Sequence, residues 1–183
     1  MNDFKRNIPN ILTTVRLFMV PIFVWAFWHP DALFSGRWLA FAISVAAALT
    51  DYVDGYLARK YNAISAYGKL FDPVADKLMT IAVVVCFMMD GIVPTLYVAL
   101  LLGKDLVLVT GAGIMALNKI VVSSDIFGKI ATVIIALGLA FTFFEATQPL
   151  NMVVLYIGLF VGYIAFFRYM HFGLKAMMNR NKH

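Results

Sequence analysis

Cysteine is almost absent. Cys86 stands alone in 183 residues, which excludes an intrachain disulfide and any cysteine-rich metal site. It sits inside an apolar run and reads as a small buried hydrophobe. Charge is also scarce, at 14% of residues, against about 25% in an ordinary soluble domain. Low-complexity stretches, a composition break and a convincing internal repeat are all missing, so a single domain over residues 1–183 is expected. The residues from Met1 to Pro9 are polar and basic, and the apolar run after Ile11 does not end in a small-residue cleavage site, so no cleavable signal is expected.

What fills the chain is hydrophobic residues, at 62%, in long runs rather than amphipathic stripes. A spanning helix needs about 20 apolar residues, because the hydrocarbon core offers nothing to bond a free peptide group. The expected fold is therefore all-α and polytopic, with six transmembrane helices. They run approximately Ile11–His29, Trp38–Ala58, Gly68–Met89, Val93–Leu117, Ile126–Glu145 and Leu150–Leu174. Turn chemistry separates them at His29-Pro30-Asp31, Asp90-Gly91 and Gln148-Pro149. Ahead of the first, Asn2–Pro9 mixes Phe4 and Ile8 with Lys5 and Arg6, which suits a short interfacial anchor; a flexible basic terminus is the alternative.

The net charge of +5 is distributed by side. Lys5 and Arg6 precede the first segment; Arg59, Lys60 and Lys69 surround the second connection. Lys119 and Lys129 flank the fourth, and Lys175, Arg180 and Lys182 form the tail, whereas the opposite connections carry only Arg37. The positive-inside bias then puts both termini on the cytoplasmic side, in what is expected to be a bacterial cytoplasmic membrane. The basic balance points to anionic lipid rather than nucleic acid.

Ionisable residues inside hydrophobic segments are costly and are functional candidates by default. Here the carboxylates gather in one stretch. It reads Asp51-Tyr-Val-Asp54-Gly55-Tyr-Leu-Ala58-Arg59, a polar turn, then Gly68-Lys-Leu-Phe-Asp72-Pro-Val-Ala-Asp76-Lys77. Asp51 and Asp54 are three apart and share a helix face; Asp72 and Asp76, four apart, share a face on the next helix. The short connection makes those helices antiparallel neighbours, so the four acids converge near the cytoplasmic boundary. Such a group cannot stay ionised without compensating cations. An oxygen-only set with no His or Cys points to hard ions, Mg²⁺ or Mn²⁺ first with Ca²⁺ as the alternative. Mg²⁺ sites of this kind commonly work with phosphates, and two such ions can stabilise both attacking and leaving oxygens. Gly55, Ala58 and Gly68 leave room for a bulky ligand. The plain alternative is local pairing with Arg59, Lys60, Lys69 and Lys77.

The pattern D-x-x-D-G-x-x-A-R, eight residues, G-x-x-x-D-x-x-x-D resembles the signature of the CDP-alcohol phosphatidyltransferase family. Asp51, Asp54, Gly55, Ala58, Arg59, Gly68, Asp72 and Asp76 match it without substitution. The resemblance implies six spans, cytoplasmic termini, a homodimer, and transfer of a phosphatidyl group from CDP-diacylglycerol to an alcohol with release of CMP. It implies that Asp51, Asp54 and Asp72 bind metal, and that Asp76 is the base and a further metal contact. Asp54, Gly55, Ala58, Arg59 and Gly68 would form the nucleotide pocket.

The acceptor rests on weaker signals. Lys104 lies well inside the fourth segment, Lys129 near the start of the fifth and Arg168 inside the sixth. Together they would suit a phosphorylated acceptor if they converge; pairing with Asp105 or Asp125, or for Lys129 and Arg168 reaching the interface, is the alternative. The opening Asn7-Ile-Pro9-Asn10-Ile-Leu-Thr13-Thr-Val-Arg16 is similar to the start of the phosphatidylglycerophosphate synthase and eukaryotic-type cardiolipin synthase branches. Lys104-Asp105 stands where the first branch often has Arg-Glu, and the aromatic stretch Phe166–His171 resembles the second; His171 itself reads as a boundary residue. Glycerol 3-phosphate is the favoured acceptor, and phosphatidylglycerol comes second. Two other classes remain beside the enzyme: a divalent-cation transporter, which needs acids at mid-membrane depth, and a scaffold without catalysis. Gly111, Gly113, Gly138, Gly158 and Gly162 permit close helix packing within or between subunits.

Overall fold

The computed structural model describes the backbone of residues 3–31, 37–61, 66–117 and 126–180. Within these it describes the side chains of 14–31, 37–50, 77–115, 126–144, 146–173 and 175. The described residues form six α-helices and one 3-10 turn, with no strand among them, which is the all-α class expected. Two compact units divide the chain at Asp90 and Gly91. The first holds α1 (Asp3–Trp28), α2 (Trp38–Tyr61) and α3 (Ala66–Met89). The second holds α4 (Thr95–Leu117), α5 (Ile126–Thr142), the 3-10 turn Glu145–Thr147 and α6 (Leu150–Arg180).

The helices occur where the apolar runs place them, but their ends differ. α1 starts at Asp3, so the separate interfacial segment expected over Asn2–Pro9 is instead continuous helix from its second residue. Pro9, the seventh residue of α1, lies within that helix. α5 stops at Thr142, and the remaining residues tighten into the 3-10 turn, a common way to close a helix end. α6 continues six residues past Leu174. Asp90-Gly91 is a turn as expected: Asp90 N–H donates to the Cys86 carbonyl, and Gly91 takes a φ of +77°, which favours glycine.

Two stretches, Thr95–Met115 and Leu150–Gly173, are long and apolar enough to cross a membrane, at 21 and 24 residues. Shorter apolar helical stretches run over Thr14–Trp28, Trp38–Thr50, Lys77–Met89 and Ile126–Thr142 among the described residues. Large hydrophobic side chains stand outward: Leu96 is 69% exposed, Phe160 68% and Leu106 66%. Water would penalise such faces, and lipid tails would not. This is a membrane protein.

In the first unit α1 lies against both α2 and α3, which touch each other little. Phe27 meets Phe87 edge to face at 5.1 Å, and the Arg37 guanidinium lies 4.4 Å over the Phe27 ring. The end of α1, the start of α2 and the end of α3 therefore meet, so α1 and α3 run parallel with α2 opposed. An ion pair between Arg37 and Asp90 at 2.7 Å closes that end. Cys86 is buried there as a free thiol, the small hydrophobe expected.

In the second unit α5 and α6 pack along their whole common length. Gly138 faces Leu155, and Gly158 faces Ile135, so the two helices are antiparallel. The Tyr97 hydroxyl donates to the Leu155 carbonyl at 3.3 Å and that of Tyr163 to the Leu100 carbonyl at 3.1 Å, fixing α4 parallel to α6. A Cβ on Gly158 would lie 2.7 Å from Ile135 Cγ1 and 3.1 Å from the Ile135 amide nitrogen, which cannot move without moving the helix. Gly158→Ala is therefore expected to lower stability by about 1–3 kcal/mol. Gly103→Ala, with nothing within 4 Å of the added atom, is expected to be neutral or slightly stabilising. Thermal unfolding of the two variants in detergent checks the contrast.

Candidate active site

The α2–α3 hairpin sets the depth of each acid through helix rise alone. Asp51 lies ten residues before the end of α2 and Asp76 ten residues after the start of α3. At about 1.5 Å per residue, both sit about 15 Å from the connection. Asp54 and Asp72 lie seven and six residues from the same ends, about 10 Å in. By backbone position the four residues thus form two rungs of two, one acidic residue from each helix at each depth. Their side chains, with those of Gly55, Ala58, Arg59 and Gly68 in the same stretch, lie outside the described residues.

Four oxygen donors on two rungs fit hard divalent ions: Mg²⁺ and Mn²⁺ take carboxylate oxygens and keep coordination positions for phosphate. Among the described residues no three His, Cys, Asp or Glu side chains gather to hold a metal, so the hairpin alone carries that reading.

Lys104, Lys129 and Arg168 all belong to the second unit. Lys104 lies beside Gly162 and Ala131, and its side chain is 8% exposed. It bonds the neighbouring Asp105, the local pairing set out above as the alternative. Lys129 and Arg168 are exposed, with the Arg168 guanidinium 5.0 Å from the centre of the Phe127 ring, within cation–π reach. The α5–α6 register places Lys129 between the 128/165 and 131/162 facing positions, and Arg168 lies six residues beyond Gly162. The three cations therefore occupy one end of the unit, over about 9 Å of helix height, with only Lys104 enclosed. His171 is exposed, as a boundary residue would be.

One residue escapes a sequence reading built on the carboxylates. Arg16 of α1 is 1% exposed, the bulkiest of the fully buried side chains. The signal was present, since Arg16 interrupts an apolar run as Lys104 does, and a cation there asks for the same explanation.

Membrane-length helices and a hairpin bearing four acidic residues define a class no finer than helical membrane proteins with an acidic hairpin. The particular family follows from comparison. Residues 6–164 match the CDP-alcohol phosphatidyltransferase family, and the chain belongs to it. A protein of Rickettsia felis named CDP-diacylglycerol--glycerol-3-phosphate 3-phosphatidyltransferase is 34% identical over 127 residues, covering 69% of each chain. A Mycobacterium tuberculosis protein named "Probable phosphatidylglycerophosphate synthase" is 32% identical over 147 residues, 80% of this chain and 70% of the relative. A cardiolipin synthase (CMP-forming) of Streptomyces coelicolor is 37% identical over 117 residues, 62% of this chain and 53% of the relative.

Proposed function

We propose that this chain transfers the phosphatidyl group of CDP-diacylglycerol to the hydroxyl of glycerol 3-phosphate, giving phosphatidylglycerophosphate and CMP. The observation that carries the reading is the matched depth of Asp51 with Asp76 and of Asp54 with Asp72, in a chain of this family. The acceptor follows the printed names of the Rickettsia and Mycobacterium relatives. Asp51, Asp54, Asp72 and Asp76 are the residues that would hold two Mg²⁺ or Mn²⁺ ions. The chemistry those ions supply is neutralisation of charge on the phosphates. Gly55 and Gly68 leave room beside the acids for the cytidine, together with Ala58, and Arg59 supports it.

Asp76 takes the proton of the acceptor hydroxyl. The hydroxyl oxygen bonds to the phosphorus esterified to diacylglycerol, and the bond from that phosphorus to the CMP oxygen breaks. Lys104, Lys129 and Arg168 would attract the acceptor phosphate, with Asp105 releasing Lys104 as the anion arrives. In this reading the chain is one domain of six spans, with both termini and the active site on the cytoplasmic face, and it works as a homodimer. The basic residues flanking the hairpin and the tail support that orientation.

Phosphatidylglycerol as acceptor, giving cardiolipin, is the second reading and is favoured by the Streptomyces relative. CMP release by the purified chain, measured with each acceptor in turn, separates them. Glycerol 3-phosphate is expected to support turnover, and Lys104→Gln to raise its KM about tenfold or more, the loss of one charge-assisted bond to phosphate. Turnover only with phosphatidylglycerol would move the assignment to cardiolipin synthesis and remove the role given to Lys104.

A further inference from the structure

We propose that Arg16 is the fixed counter-charge of the carboxylate site, a positioning residue that sets both its metal affinity and the placement of its acids. The inference rests on the reading of the α2–α3 hairpin as the active site and concerns a residue on a different helix.

Three independent observations converge. The first is burial: Arg16 is 1% exposed, and a guanidinium, which cannot shed its proton, carries a full charge into that place, where nearby opposite charge offsets its desolvation. The second is the face it occupies. Phe23 and Phe27 lie seven and eleven residues further along α1, which brings all three side chains to within about 20° of one line on the helix. Phe23 and Phe27 are also buried, and Phe27 meets Phe87 of α3 and Arg37 at the start of α2. That line therefore looks into the seam where α1 bridges α2 and α3.

The third is height. α1 and α3 run parallel from the Phe27–Phe87 contact, and eleven residues back along each are Arg16 and Asp76. α2 runs the other way from Trp38; eleven residues on is Leu49, less than one turn from Asp51. Arg16 thus stands level with the inner rung of the acid cluster. The other acids of this unit are elsewhere. Asp31 and Asp90 belong to the opposite end, and Asp3 is thirteen residues away along α1, about 20 Å of helix. Asp51 and Asp76, with Asp54 and Asp72 one turn on, are the acidic positions of this unit nearest that height.

A permanent positive charge there opposes divalent ions and offsets the mutual repulsion of the four acids. Removing it strengthens cation binding while loosening the acids from their working positions. At about 10 Å, one charge acting on a divalent ion changes affinity by about fourfold at the dielectric of water and by a few hundredfold at an effective value of about 20. The full chain in detergent, titrated with Mn²⁺ and followed by electron paramagnetic resonance of the free ion, reads this without turnover. Arg16→Gln is expected to lower the half-saturating Mn²⁺ about tenfold, while CMP release at saturating Mn²⁺ falls about a hundredfold. Arg16→Lys, which keeps the charge, is expected to keep wild-type Mn²⁺ affinity.

Wild-type Mn²⁺ affinity in Arg16→Gln, with the wild type binding normally, would overturn the role of Arg16 and leave the hairpin reading standing. A wild type that binds no Mn²⁺ would remove the hairpin reading and this one with it. If Arg16→Gln melts too early to assay, the charge-balanced double variant Arg16→Gln/Asp76→Asn decides. Its gain in melting temperature over Arg16→Gln is expected to exceed the gain of Asp76→Asn over wild type, and an equal or smaller gain would overturn the proposal.

Discussion

Asp76→Asn is expected to cut CMP release about 10³-fold or more, with the melting temperature held or raised. Asparagine keeps the shape and removes both the negative charge and the ability to take a proton. General-base catalysis alone contributes about 10²–10⁴-fold, and a lost metal contact adds to it. Asp51 lies at the same depth on the opposed helix. It is assigned to metal rather than to the proton, so it is not expected to substitute as the base. Asp105→Asn is the control. That carboxylate pairs with Lys104 in the second unit, so its neutral variant is expected to change the acceptor KM and spare the chemical step. A thermal melt and a kcat/KM split for both substrates check the pair; an Asp76→Asn rate within tenfold of wild type would remove Asp76 as the base.

The second large effect is metal removal. EDTA is expected to abolish CMP release, and excess Mg²⁺ or Mn²⁺ to restore it, because four carboxylates on two rungs require cations to bind an anionic phosphate substrate. Asp54→Ala and Asp72→Ala, one from each helix of the outer rung, are each expected to lose about 10³-fold or more at ordinary Mg²⁺. The structure adds a pattern: each outer-rung variant should resemble its partner across the hairpin more than its neighbour on the same helix. Activity unchanged after exhaustive chelation would contradict a metal role for all four acids.

The helices were legible because long apolar runs leave one solution in a bilayer. The matched depths of the four acidic positions were legible because spacings of three and four, mirrored across a short connection, constrain backbone height; the convergence of their side chains lies outside the described residues. Helix ends were less legible. The first span was set to begin at Ile11, yet α1 begins at Asp3; Glu145 was assigned to the fifth helix and belongs to the 3-10 turn. Ends depend on a few marginal backbone bonds that no periodic pattern reports.

Partners across helices were the least legible. Arg37, the lone cation of its side in the sequence, proves to bridge Asp90 and the Phe27 ring, a contact between three helix ends. Gly138 and Gly158 were read as permitting close packing; that they press against Leu155 and Ile135 depends on a register no single segment encodes. Arg16 is the same case with a functional consequence, since its height against Asp76 appears only once Phe27 is set against Phe87.

The most direct measurement is transfer of label from glycerol 3-[³²P]phosphate into chloroform-extractable lipid by the purified chain in vesicles containing CDP-diacylglycerol. Wild type and Asp76→Asn run side by side with CMP quantified. The account predicts one labelled lipid formed per CMP released by the wild type, and neither product from the variant. Labelled lipid formed equally by Asp76→Asn, or CMP released without label entering lipid, would contradict it.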